Sequence, residues 1–473
     1  MKKKKVHFVG IGGIGMSALA RYFLAQNWAV SGSDLASGPI TRDLAKVGIR
    51  VKIGHIMGNL PKNTHFIVFS KAVPSSNPEI RAARRQGTPC KSYAEALGDI
   101  TREHETFAVT GAHGKSTTTS LLALAMIRAG LDPTVFVGTK LWEFGDSNFY
   151  FGKSSRLVVE ADDYAETFLE VSPSHAIILN IDREHLDYYK SFARVKQAFL
   201  EFIANVRPGG ILVLNKDNET LWELRKKILA IVKKHNLRLR WFSLGDSYAG
   251  QVRKALHIPG EHNVSNALAV YTLLREVGVR AKDITTSLSK FRGSWRRMEY
   301  KGTMTMTMTM TNGKRKRAKV LIYDDYGHHP TEIKATLQAF REKFPRRNIV
   351  CVFQPHQVKR LKLLFPDFVD AFHDADLLVL LPVYQVAGRE DKGHSSRFAS
   401  EAGRTEDRGI NSERLATEIR EKHKEARVVY LGDVRGFRKK MEGILREHIH
   451  SPAVLVMMGA GNIFELTSKL VQK

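Results

Sequence analysis

The chain has 473 residues, 43% of them hydrophobic. That is enough for roughly two to four domains with their own cores, and no stretch is long and apolar enough to read as a membrane span. It carries 74 lysines and arginines against 48 acidic residues, a formal charge of +26, which suits nucleic acid, a membrane surface or anionic small substrates. The basic runs at 2–5, 81–85, 233–240, 314–319 and 346–347 are scattered. They carry no nucleic-acid-binding motif and no interleaved aromatics, so they are read as solvated faces. Cys90 and Cys351 lie far apart without metal or redox spacing, which predicts a reducing, cytoplasmic setting.

In chain order, four lysines followed by VHFVGIGGIGMSALA have the outline of a secretory leader, but four glycines interrupt the apolar run and Arg21 follows. A buried strand at 5–9 entering a Gly-rich turn at 10–16 explains the stretch better. A helix at 17–27 and a strand at 29–34 ending in Gly-Ser-Asp34 complete the opening of a doubly wound nucleotide-binding unit. Short strands at 48–53, 66–70 and 89–92 continue it. Alone, such a turn points to a dinucleotide-dependent oxidoreductase.

The second block weakens that reading. A strand at 106–110 runs into Gly111-Ala112-His113-Gly114-Lys115-Ser116-Thr117, and a helix is predicted over 117–128 with Gly130 as its stop. Glycines let backbone N–H groups close round phosphates, and the helix start adds partial positive charge. Lys115 would reach the terminal phosphates and the Ser116 hydroxyl would ligate Mg²⁺. Two residues separate the glycines where the usual loop has four. A strand at 157–160 ends in Glu160-Ala-Asp162-Asp163, where Mg²⁺ would be held. A strand at 176–180 leads to His185, again beyond a strand end where open α/β sheets place their sites. Strands at 210–214 and 240–243 bracket a basic helix at 221–234. Asn263 and Asn266 lie one turn apart on a helix opened by His262, suited to capping or to bonding a base. Arg296-Arg297 suits phosphate oxygens.

The third block opens with TMTMTMTMT at 303–311, then Asn312-Gly313 and a strand-like run to 323, which predicts a β-hairpin. Strands at 320–323, 349–353, 377–381, 428–431 and 453–457 alternate with helices near 331–343, 358–373, 412–424, 434–447 and 463–471, a further α/β sheet. Its strand ends carry Asp325-Tyr326-Gly-His328-His329, Gln354-Pro-His356 with Arg360, and Gly459-Ala-Gly461-Asn462. The polar, Gly-rich stretch 384–410 is expected to be a mobile loop.

Together GIGGIGMSALA with GSD, SKAVPSSNPEI, GAHGKSTTT, VEADDYAETFL, NIDREHLDYY, GEHNVSNALA, FRGSWRRME, DDYGHHPTEI, QPH and GAGNI resemble the Mur ligases, the ATP-dependent amino-acid ligases of peptidoglycan synthesis. The resemblance spans nearly the whole chain. It implies a three-domain α/β architecture: a Rossmann-like UDP-sugar domain at 1–98, a central P-loop-type ATPase domain at 99–302 and a Rossmann-like C-terminal amino-acid domain at 303–473. It implies that Lys115 stabilises the ATP phosphates, that Ser116 and Glu160 hold one Mg²⁺ and that His185 holds a second. It places Gly111 to Thr117, His262, Asn263, Asn266, Arg297 and Asp325 on ATP, with Lys115, Glu160, His185 and Arg297 catalytic. Gly12, Gly13, Ile14, Gly15, Met16, Asp34, Ser70 and Asn180 fall on the UDP-sugar, and Tyr326, His328, His356 and Arg360 on the amino acid. The implied substrates are UDP-N-acetylmuramate and L-alanine, with a murein tripeptide as the alternative acceptor. No nucleic acid, no membrane insertion and a monomer or weak homodimer are expected. The chain departs from the pattern at Asp163-Tyr164-Ala165 (usually Glu-Ser-Asp), at Gln357 (usually Arg), at Tyr384 to Arg389 and at Asn462 (usually Asp), so the acceptor is the least constrained inference. Two other classes stay open on residues alone: the nicotinamide oxidoreductase and a basic, non-catalytic nucleotide- or RNA-binding protein.

Overall fold

The computed structural model describes residues 3–309, 315–385 and 410–471. They form two compact units: Met1–His257 with Asn263–Arg292, and Ile258–His262 with Gly293–Lys473.

The first unit holds two sheets. One contains β1 (Lys5–Val9), β2 (Ala29–Asp34), β3 (Arg50–Ile53), β4 (Phe66–Phe69) and β5 (Cys90–Ser92). All are parallel, in the order β3-β2-β1-β4-β5. Val6, His7, Phe8 and Val9 of β1 are all buried, as in a strand covered on both faces, and the one polar side chain among them, His7, lies 2.8 Å from Ser31 Oγ and 2.7 Å from Glu79 Oε2. The order reverses between β1 and β4, so the turns after them flank the crevice where such sheets bind ligands. The first helix is Ile14–Ala25. It begins three residues before the expected 17, because extended Gly13 serves as its N-cap.

The second sheet contains β6 (Glu105–Thr110), β7 (Thr134–Leu141), β8 (Ser147–Tyr150), β9 (Arg156–Glu160), β10 (His175–Ile178), β11 (Ile211–Asn215) and β12 (Arg238–Phe242), in the order β12-β11-β10-β6-β9-β7-β8. β8 runs antiparallel to β7; the sequence reading had neither strand. β6 is central, and the helix after it, Lys115–Arg128, is buried from Ser116 to Met126. The basic helix expected at 221–234 is divided at Leu224 into Glu219–Glu223 and Arg225–Lys234.

The second unit holds β13 (Glu299–Thr309), β14 (Arg315–Asp325), β15 (Asn348–Phe353), β16 (Leu377–Leu380), β17 (Val428–Tyr430) and β18 (Ala453–Met458), in the order β13-β14-β18-β15-β16-β17. β13 and β14 are the expected antiparallel pair, with Met304 opposite Val320 and Met306 opposite Ala318. Met304 and Met306 are buried while Thr305 and Thr307 are exposed, as a period of two requires. The Asn312-Gly313 turn and most of the 384–410 stretch lie outside the described residues. The helix expected at 358–373 is two, Val358–Leu363 and Phe365–Val369. Ile333, Leu337 and Phe340 pack one face of the sheet; Phe437, Met441, Leu445 and Ile463 pack the other.

Candidate active site

The C-terminal end of β6 opens into the loop 111–114. Gly114 caps the following helix at φ +83. A side chain there would be strained, and its Cβ would stand 2.5 Å from Asn266 Oδ1. Asn266 is thus packed against the loop, and both Asn263 and Asn266 are buried. The loop is braced from β10: His113 N–H donates to Asn180 Oδ1 at 2.8 Å, Asn180 Nδ2 donates to His113 O at 3.1 Å, and Ala112 N–H donates to Asn180 O at 3.2 Å. A sugar contact was expected of Asn180; its amide is engaged by the 111–114 loop. His113 Nε2 lies 3.0 Å from Asp182 Oδ2, and Thr117 is buried in the first turn.

Lys115 Nζ donates to Gly111 O at 2.7 Å, Ala112 O at 3.1 Å and Asp163 Oδ1 at 2.7 Å. Burial alone would lower this ammonium's pKa. Asp163, Asp162 and Glu160 outweigh it and hold the pKa well above the ordinary value, so Lys115 stays charged. Ser116 Oγ donates to Glu160 Oε1 at 2.9 Å, and Gly138 N–H donates to Glu160 Oε2 at 2.7 Å. A Cβ on Gly138 would lie 2.5 Å from Glu160 Oε1, so β7 carries glycine there to let the carboxylate in. Burial raises the Glu160 pKa despite Gly138, Lys115 and Ser116 pulling it down. A hydroxyl beside a partly buried carboxylate is a hard-oxygen donor pair that fits Mg²⁺.

His185 stands elsewhere in this corner. One ligand atom each of Asp162, Asp163 and His185 lie within 4.8 Å of one another, and the Tyr164 ring meets the imidazole edge-on at 4.9 Å. Ala165, Glu166 and His185 all have left-handed backbone at φ +53, +58 and +56. Such non-glycine geometry costs about 1–3 kcal/mol per residue and survives only where surroundings enforce it. Lys71 Nζ donates to Ala165 O at 2.7 Å and Tyr189 Oη to Asp163 O at 2.5 Å. Those two contacts clamp the turn that presents Asp163 to Lys115.

On the β1 side, Gly12 N–H donates to Asp34 Oδ2 at 2.7 Å, and Gly10 and Ile11 N–H groups donate to Ser33 O. Ser70 Cβ sits 3.1 Å from where a Cβ of Gly10 would be, so the β1 and β4 turns touch. Ile14 and Met16 lie in the first helix, Met16 buried. Asn148 Nδ2 donates to Ile14 O at 2.6 Å. The Tyr93 ring packs on Gly15. Burial, then the charges of Asp162 and Glu160, push its hydroxyl pKa up. Tyr93, Gly138, Asn148 and Lys71 escaped sequence reasoning; only the place of Lys71 beside Ser70 hinted at a role.

The second unit collects the remaining residues. Asp325 Oδ1 and Oδ2 accept from Gly327 N–H at 2.8 Å and Met298 N–H at 2.9 Å. It is buried, and burial raises its pKa against the pull of Arg297. The Arg297 guanidinium lies 4.9 Å from the Tyr326 ring centre and 3.7 Å from Glu332 Oε1. His262 shares this surround: burial, then Arg297, lower its pKa to about 4, so its imidazole is neutral at pH 7. Glu332 Oε2 accepts from His328 N–H at 3.0 Å and His329 N–H at 3.3 Å, capping helix Pro330–Lys343. His328 faces His356 at 5.8 Å and His356 stacks on Tyr384 at 5.6 Å. Arg360 lies one turn on, in Val358–Leu363.

Known proteins match along the whole length. The Mur ligase family catalytic domain matches residues 5–105, the Mur ligase middle domain 109–274 and the Mur ligase glutamate ligase domain 308–461. The UDP-N-acetylmuramate–L-alanine ligase of Aquifex aeolicus is 38% identical over 460 residues, covering 94% of this chain and 98% of its own. That of Geotalea daltonii is 35% identical, covering 100% and 98%. Among solved structures, the UDP-N-acetylmuramate–alanine ligase of Thermotoga maritima aligns with a TM-score of 0.74 at 26% identity, covering 99% of this chain and 98% of that one. A murein peptide ligase of Psychrobacter arcticus shares the fold at a TM-score of 0.67 and 20% identity. With three domain models following one another over its three sheets, and full-length relatives above 30% identity, the chain belongs to the Mur ligase family.

Proposed function

We propose that this protein joins L-alanine to the lactyl carboxylate of UDP-N-acetylmuramate, consuming ATP and releasing ADP and phosphate, as a cytoplasmic enzyme, monomeric or weakly dimeric. The observation that carries the reading is the charged Lys115 at the mouth of the 111–114 loop, next to the Ser116–Glu160 pair. The full-length relatives support L-alanine as acceptor.

The lactyl carboxylate is a poor electrophile. Its oxygen attacks the γ-phosphorus in line, the bond to the β-phosphate oxygen breaks and ADP leaves, giving an acyl phosphate. The alanine amine, entering neutral, attacks the acyl carbon; phosphate departs and the amine proton is lost to water. Lys115 keeps its ammonium beside the transferring oxygens, where the charge it offers is pre-arranged. Mg²⁺, held by Ser116 and Glu160, would neutralise phosphate oxygens. Arg297, His262, Asn263, Asn266 and Asp325 serve the nucleotide. Tyr326, His328, His356 and Arg360 serve the amino acid, and the loops at Gly12–Met16, Asp34 and Ser70 serve the UDP-sugar.

The test is ADP release with Mg-ATP and UDP-N-acetylmuramate, against no acceptor, L-alanine, glycine, L-serine and the cell-wall tripeptide. Release that needs both the UDP-sugar and L-alanine supports the reading. Preference for the tripeptide moves the protein to precursor recycling. A folded, ATP-binding protein with no UDP-sugar-dependent release would sink the assignment.

A further inference from the structure

The helical stretch between β11 and β12 does something the ligase reading does not use. Backbone bonds from Leu224 N–H to Thr220 O (3.1 Å) and from Ile228 N–H to Leu224 O (3.0 Å) carry helical bonding across the break at Leu224. Helical spacing therefore holds from 219 to 234. Leu221, Leu224 and Ile228 form the inward stripe and are buried. Trp222, Lys226, Leu229 and Lys233, spaced by four, three and four, form the outward one. Trp222 is 40% and Leu229 52% exposed. Lys226, Lys227, Lys233 and Lys234 are exposed and have no acidic partner within ion-pair distance among the described residues. Of the nearby acids, Glu223 is taken by Lys196 at 2.9 Å and Asp217 by Ser243 Oγ and Leu244 N–H, and Glu219 lies in the first turn, at the far end from Lys233 and Lys234.

From this geometry we infer that the outward face of 222–234 docks on an anionic lipid surface. An aliphatic side chain exposed among unpaired lysines, with a tryptophan at one end, is how a helix lies in a headgroup layer. The apolar groups enter the acyl boundary while the ammonium groups snorkel to phosphates. Trp222 is poorly placed to stack on a nucleic-acid base. Lys216 Nζ lies 5.4 Å and the Arg225 guanidinium 4.9 Å from its ring centre, and Trp241 packs edge-on at 5.5 Å. β12 is the sheet's outer strand, separated from β6 by β11 and β10, so the docking face is remote from the 111–114 loop. This surface also gives part of the +26 charge a purpose independent of the ligase chemistry.

The experiment is co-sedimentation of the full chain with vesicles of pure phosphatidylcholine and of equimolar phosphatidylcholine and phosphatidylglycerol, at low and high salt. The expected result is binding to the anionic vesicles alone, released by salt. Lys226→Glu with Lys233→Glu should weaken that binding about tenfold or more. Leu229→Ser should weaken it severalfold. Trp222 emission should shift to the blue on binding, and the shift should vanish in Trp222→Phe. ADP release in solution should be unchanged in every variant, which establishes that each is folded. Absence of anionic preference, or binding undiminished in both the charge-reversed and Leu229→Ser proteins, overturns the inference. So does tighter, equally variant-sensitive binding to an RNA homopolymer.

Discussion

Asn180 separates two accounts of one residue. The resemblance to the family sets it on the UDP-sugar side; the structure has its side-chain amide bridging both backbone groups of His113 at 2.8 and 3.1 Å. Asn180→Ala removes two partly buried hydrogen bonds, each worth about 1 kcal/mol net, and leaves Ala112 N–H on the retained carbonyl and the His113–Asp182 contact between the loop and the segment after β10. If the loss of about 2 kcal/mol falls on the ATP-bound transition state, kcat/KM for ATP drops about 30-fold, at 1.36 kcal/mol per tenfold. Asn180→Asp keeps the acceptor for His113 N–H but loses the donor and adds charge beside the phosphates, so it should be no better than alanine. The assay is initial-rate ADP release with ATP and UDP-N-acetylmuramate varied in turn. KM for the UDP-sugar should stay within about twofold. The opposite pattern, with ATP parameters intact and the sugar KM raised, would refute the brace and return Asn180 to the sugar.

Three further outcomes are expected. Lys115→Ala should abolish ADP release and also lower Tm, because Asp163, 1% exposed, loses its cation, a loss worth about 3–5 kcal/mol for a buried pair; calorimetry should find stability restored but activity still absent in Lys115→Ala with Asp163→Asn. Gly114→Ala forces a side chain onto a φ +83 backbone and into Asn266, so ATP binding by titration calorimetry should fall by at least about tenfold, and an unchanged Kd would mean that the loop can re-form without glycine. Burial raises the Asp324 pKa from 3.8 to about 6 against the hydroxyl of Thr467, so the folded state favours the protonated acid. Its contribution is full below pH 4 and is lost as pH rises through 6, a change of up to about 3 kcal/mol. Asp324→Asn, which still accepts from Thr467, should therefore raise Tm at pH 8 and make no difference at pH 4; equal Tm differences at both values would show that Asp324 is ionised throughout.

How far the sequence could be read depended on the range of the physics involved. β18 is a continuous apolar run and β1 and β6 are short β-branched and aromatic runs with few polar residues, visible because both faces are covered. Gly114, Lys115 and Ser116 are visible because a phosphate loop needs its backbone freedom, its cation and its hydroxyl within a few consecutive positions. β7 and β8 were not visible. Gly138 interrupts the apolar run of β7, and what makes glycine necessary there is Glu160 Oε1, 22 residues away in sequence and 2.5 Å from any Cβ at that position. The same holds for Tyr93, Asn148 and Lys71, ordinary residues in ordinary local settings whose partners (Gly15, Ile14 O and Ala165 O) lie on other elements.

The acidic corner shows why a departure from a family pattern cannot be judged from the pattern alone. Where the resemblance led to an expectation of Glu-Ser-Asp, this chain has Asp163-Tyr164-Ala165. In the fold each of the three residues makes a contact. Asp163 is the counter-ion that keeps Lys115 charged, Tyr164 packs edge-on against the imidazole of His185, and Ala165 turns its carbonyl to Lys71. The contacts of 163, 164 and 165 together hold one corner, two of them through side chains and the third through a backbone carbonyl that any residue would offer. Lys71, adjacent to Ser70, ties this corner to the turn after β4. A disturbance at Lys71 should therefore be felt at Lys115 through Ala165 and Asp163, because the left-handed backbone at Ala165 and Glu166 leaves little room for compensation.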